Sequence, residues 1–87
     1  MELYETIEGM ISKDYKERFI AEYNQVSIRL DRLNALINKI KENKIEFNLS
    51  SSLKLLEVQA IYMDAYKGVL RDRASLENIE LEPINLD

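Results

Sequence analysis

Histidine and cysteine are both absent from the 87-residue sequence, and that absence decides most of what its side chains can do. Without them there is no Ser–His or Cys–His nucleophile and no thiolate, and zinc loses its usual ligands. The two glycines, Gly9 and Gly68, lie far apart, so no phosphate-cradling glycine loop exists. Carboxylates are plentiful but mostly have basic residues at helical spacing, as Asp14 has Arg18, the pattern of a solvated helix face. The expectation is a protein that binds rather than catalyses, with no cofactor and no metal.

Binding chemistry is better represented. Tyr62 and Tyr66 are one helical turn apart, and Arg73 continues the Tyr66 line two turns later. Tyrosines beside guanidinium groups suit a stacked base with a phosphate. The candidate ligand set is therefore Tyr15, Arg18, Tyr62, Tyr66, Lys67, Arg71 and Arg73. A plainer role is open to the same residues: tyrosines in helical bundles often pack in the core with a wet hydroxyl, and Lys67 can pack its stem and send its ammonium to water.

These residues need elements to position them. Residues 2–9 read as a short amphipathic helix with Leu3, Ile7 and Met10 or Ile11 on one side and Gly9 just past its end. Ser12 is an N-cap candidate for a helix over 13–43, with Asp14 and Glu17 in its first turn. Phe19, Tyr23, Val26, Leu30, Leu33, Ile37 and Ile40 follow a heptad seam along it. Asn- and Ser-rich residues 44–50 read as a turn, and a second helix over 51–76 carries the seam Leu53, Leu56, Ala60, Met63, Lys67, Leu70 and Ala74.

The two seams mirror each other: Ile40 with Leu53, Leu33 with Ala60, Val26 with Lys67, Phe19 with Ala74. One number falls as the other rises, the register of an antiparallel hairpin. The predicted fold is all-α: a coiled-coil-like two-helix hairpin forming a single domain over 1–87, with a short N-terminal helix and an extended acidic tail over 77–87. That tail, with Ile79, Leu81, Ile84 and Leu86 alternating with polar residues around Pro83, reads as a frayed end or as a strap on a neighbour.

The second long helix has another stripe, Leu55, Val58, Tyr62, Ala65, Val69 and Leu76, interrupted by Asp72 and almost opposite the first. The equivalent positions of the first long helix are Asn24, Ser27, Asp31, Asn34 and Asn38. A helix apolar on two opposite faces must be covered on both. The short N-terminal helix is too small to cover six turns, so a homo-oligomeric helical bundle is expected, with those six residues as its interface.

Charge bounds the partners. The net charge of −4 divides into −3 over residues 1–11, +3 over 12–44, zero over 45–76 and −4 over 77–87. No concentrated basic face suits duplex DNA. Met1-Glu2-Leu3-Tyr4-Glu5 lacks the basic start of a signal peptide and no apolar run is long enough for a bilayer, so a cytoplasmic protein without membrane partners is expected.

The stretch Tyr15-Lys16-Glu17-Arg18-Phe19-Ile20-Ala21-Glu22-Tyr23, then Leu30 to Leu36, then Leu55 to Met63, with Tyr66, Val69, Leu70, Arg73 and Ala74 beyond it, resembles a family of small phage and prophage proteins, the crAss-like-phage-related helical hairpins. The resemblance covers residues 13–76. It implies a phage accessory protein in the host cytoplasm that acts by sequestration, of a host defence protein or of an immune signalling nucleotide. A protein–protein module acting through the helical face or the tail is the alternative.

Overall fold

The computed structural model describes residues 1–42 and 52–81. A 3-10 turn, Leu3–Thr6, leads directly into the short helix α1, Ile7–Met10. Two long helices follow, α2 over Tyr15–Lys41 and α3 over Leu53–Glu77. The turn expected over 44–50 lies outside the described residues. Among those described, there is no strand, and no helix is long and apolar enough to cross a membrane.

Local chemistry sets the helix ends. The N-cap of α2 is Asp14, whose carboxylate accepts the Lys16 N–H at 2.9 Å. The expected cap, Ser12, stands one step further out: its hydroxyl accepts the Asp14 N–H and donates to the Glu17 carboxylate. Ser52 caps α3 by accepting the Leu55 N–H at 3.1 Å. At the other end Asn78 adopts the left-handed conformation, φ 56°, and the Ile79 N–H donates back to the Ala74 carbonyl at 2.9 Å. This is the Schellman closure, and its apolar companion contact is present too. Ile79 is buried with Phe19, Val26, Leu70 and Ala74 in the central cluster, and Leu81 packs against it. The start of the tail is thus part of this chain's own core, neither frayed nor seated on a neighbour. The strap reading fails for Ile79, which the cap turns inward, while tail residues 82–87 lie outside the described residues.

Both predicted inner seams are in place. Every member from Phe19 to Ile40, and from Leu53 to Ala74, is buried or half-buried, with Leu70 fully enclosed at 0% exposure. Contacts between the long helices join Tyr15 to Glu77, Tyr23 to Lys67 and Lys41 to Glu57. The deepest burial is at the Tyr15–Glu77 end, where the start of α2, the end of α3 and Ile79 converge.

The N-terminal segment packs against α2 and not against α3. Thr6 is buried, its hydroxyl donating to the Leu3 carbonyl and accepting from the Gln25 side-chain amide. Arg32 reaches back to Glu2 at 2.6 Å, although both side chains are about half exposed and the pair adds little stability. Ala21 and Ile28 are buried outside the central cluster, so α2 does possess a second covered face, centred on a line the Asn24–Asn38 reading missed. The side of the short helix is also rotated from expectation. Ile7 and Ile11 face solvent, at 55% and 77% exposure, while Thr6 turns inward.

Gly9 is not a left-handed C-terminal residue. It lies within α1, where a Cβ would stand 2.8 Å from the Ala21 Cβ. Its hydrogen is what lets α1 touch α2. Replacing Gly9 by Ala should therefore destabilise the fold by about 1–3 kcal/mol through overpacking, despite alanine's better helix propensity. Leu70→Ala should cost roughly 2–5 kcal/mol, whereas Leu76→Ala, at an 85% exposed position, should stay within about 0.5 kcal/mol in the isolated chain. Urea denaturation of the three variants checks the order.

Candidate functional site

The candidate ligand residues fall into separate places. Tyr15 and Arg73 meet, as the register implies. The Tyr15 hydroxyl donates to Glu77 Oε1 at 2.6 Å and accepts from Arg73 Nη2 at 3.0 Å. Arg73 Nε also reaches Glu77 Oε2 at 3.4 Å, and the guanidinium lies 5.0 Å from the centre of the Phe19 ring. Phe19 in turn stands 6.1 Å from the Tyr15 ring. Glu77 was absent from the candidate set. Extending the mirrored register one step past Phe19 and Ala74 sets Glu77 opposite Lys16, the residue next to Tyr15.

This clasp joins the start of α2 to the end of α3 and already uses its own charges. The Arg73 cation is answered by Glu77 and by the ring face, an arrangement that holds two helix ends together. Tyr15 is held above the ordinary tyrosine range, first by its hydrogen bond to the Glu77 carboxylate, then by burial and by the charge of Glu77, with Arg73 opposing. Arg18 is engaged elsewhere: its Nη1 donates to the Ser12 carbonyl at 2.7 Å and fixes the approach to α2. Lys67 sits on the inner seam with its ammonium 5.6 Å from the Tyr23 ring centre, so it caps an aromatic face as well as reaching water.

Tyr62 and Tyr66 are on the outer face of α3, 72% and 44% exposed. With Leu55, Val58, Gln59 and Met63 they line a shallow, almost wholly apolar depression of ≈ 510 Å³. The expected interface residues Leu55, Tyr62, Ala65, Val69 and Leu76 are all exposed, and Val58 is half-buried at the rim. Arg71 is exposed on α3, its guanidinium lying close to Gly68. A second depression, between α1 and α2, is walled by Glu5, Glu8 and Glu17 and is electrostatically wrong for an anion. Among the described residues, no His, Cys, Asp or Glu group is arranged to hold a metal ion.

The described residues form two packed long helices, with a short segment on one side and an exposed aromatic face on the other. The profile of the Sequestin family matches residues 13–76, which spans both long helices and the inner seam, and the chain belongs to that family. Neither a curated protein nor a solved structure matches it. The segment on α2 and the residues after Leu76 fall outside the matched span.

The clasp makes a spectroscopic prediction. A raised phenol favours the neutral form in the folded state, so its stabilisation is complete below about pH 10 and is lost as pH rises through the folded value. Ultraviolet phenolate titration should show one tyrosine ionising above the others, and Tyr15→Phe should remove that step.

Proposed function

We propose that this chain is a phage-encoded, non-enzymatic binding protein built as an antiparallel helical hairpin, which sequesters a component of host defence. The sharper form of the proposal is an immune signalling nucleotide held where protomers meet. The observation that carries it is the exposed tyrosine face of α3, where Tyr62 and Tyr66 stand one turn apart over an apolar floor. The family's name, which denotes sequestration, points the same way.

The physical logic is that of capture without turnover. Two tyrosines offer ring faces on which a base stacks at small cost in side-chain entropy, and stacking of this kind contributes about 1–3 kcal/mol per base. Arg71 and Lys67, on the same helix, are the cations nearest that face in sequence, and Arg71 is exposed. A pocket completed by a second protomer would enclose the base, which an open face on one helix does not. Sequestration needs only such enclosure and a chain present in excess of its ligand.

The alternative is a module that inhibits or bridges a host or phage protein. The same apolar stripe supports it, read as a helix face for a protein groove.

Thermal unfolding against a panel of cyclic and linear nucleotides separates the two. A bound nucleotide at about a hundred times its Kd contributes about 2.7 kcal/mol, which for a chain of this size raises Tm by well over five degrees. Tyr66→Ala should abolish the shift with helicity unchanged, and the nucleotide should be recovered intact after denaturation. No shift with any member of the panel, with a host protein captured stoichiometrically instead, would favour the alternative.

A further inference from the structure

Gly68 of α3 has no packing reason among the described residues of its own chain. It lies well inside a 25-residue helix, where glycine is markedly less favourable than alanine. Its φ is not positive, and among the described residues a Cβ built there would meet nothing nearer than Arg71 Nη2 at 4.0 Å. This contrasts with Gly9, where the neighbouring helix leaves no room. A glycine without a turn, a strain or a cis neighbour to justify it marks a place where something outside the chain comes close.

Two turns earlier on the same flank stands Ile61, 66% exposed. Between the two runs the outer stripe, Leu55, Val58, Tyr62, Ala65 and Val69, spaced alternately by three and four residues. Such a stripe fits a second helix in an antiparallel coiled coil, where positions three residues apart on one helix face each other's counterparts on the other. One register makes it self-complementary. Tyr62 then faces Ala65 of the other copy, large against small, and Val58 faces Val69. In that same register the row of flanking residues brings Ile61 of each copy over Gly68 of the other.

The register also accounts for the acid that interrupts the stripe. Asp72 falls opposite Leu55 of the second copy, with Lys54 of that copy beside it. Within one chain, neither Lys54 nor Asp72 forms a hydrogen bond or ion pair among the described residues, and both are exposed. The two-fold axis would generate this complementary pair twice. Shape, a glycine without a cis purpose and charge thus agree on one alignment.

We infer that the outer face of α3 is a docking surface for a second copy of this chain, α3 against α3 antiparallel about a two-fold axis, with Ile61 seated on Gly68 and Lys54 paired with Asp72. This deepens the reading of a ligand held between protomers by naming the protomer contact, and it stands or falls on the ligand-free chain. At the edges of this contact Tyr66 and Gln59 remain on the flank opposite Gly68, where a small molecule can still reach them.

The sequence contains no cysteine, so engineered thiols report without background. Val58→Cys and Val69→Cys chains, mixed in equal amounts under reducing conditions and then oxidised without ligand, should give mainly the mixed disulfide. A parallel pairing would instead favour Val58→Cys with itself and Val69→Cys with itself, and random encounter would give statistical proportions; either result overturns the inference. A second arm uses Gly68. Gly68→Ala should raise the chain's helicity when dilute, and Gly68→Leu should weaken association in sedimentation equilibrium at least tenfold. Undiminished association of Gly68→Leu sinks the Ile61 contact. Because nucleotide is absent from every arm, failure here leaves the thermal-shift result to be judged separately.

Discussion

The structure depends on one packing event, the meeting of Phe19 and Val26 on α2 with Leu70 and Ala74 on α3, closed by Ile79. A chain of this length buries too little apolar surface for two separate cores. Around that cluster the other features take their places. The Schellman turn at Asn78 exists to return Ile79 to it, and the Tyr15–Arg73–Glu77 clasp roofs the same end, with the guanidinium resting on Phe19. Along the rest of the pair the seam residues of α3 are only half covered. Among the described residues the helix pair is thus packed most closely toward the Tyr15–Glu77 end.

That asymmetry connects packing to function. The covering available in cis goes to α2, where Gly9 admits the short helix and Thr6 and Gln25 secure it. Among the described residues nothing of the kind lies on α3, whose outer face presents Leu55, Tyr62, Tyr66, Val69 and Leu76 to solvent. An apolar surface of that length on a small acidic chain is what supports the proposed association through this face. Tyrosine suits such a face, since it gives area to a partner and keeps a polar tip for water.

Much of the fold was legible in the sequence because a heptad seam constrains residues that are far apart in number. The spacing located both long helices to within two residues at each described end, and both seams proved buried. The N-terminal segment was harder to read. Its packing rests on Gly9 against Ala21 and on a buried threonine, and small or polar contacts leave no hydrophobic periodicity to detect. Ile7 and Ile11, the obvious apolar members, are the ones facing water. The candidate site was legible as a set of residue types but not as a set of neighbours. Tyr15 and Arg73 came together, whereas Arg18 was taken by the Ser12 carbonyl and the outer tyrosines lie on another surface. Side-chain partners of long cations are chosen by local geometry that residue spacing does not encode.

The central claim is that α3, apolar front and back, requires a second chain to cover its outer face. Small-angle X-ray scattering of the ligand-free protein at high micromolar concentration tests it directly. The account predicts a forward scattering at least twice that of one 10.2 kDa chain, with a radius of gyration well above the 14.9 Å of a single subunit. A scattering mass of one chain at that concentration, with a radius close to 14.9 Å, would contradict it.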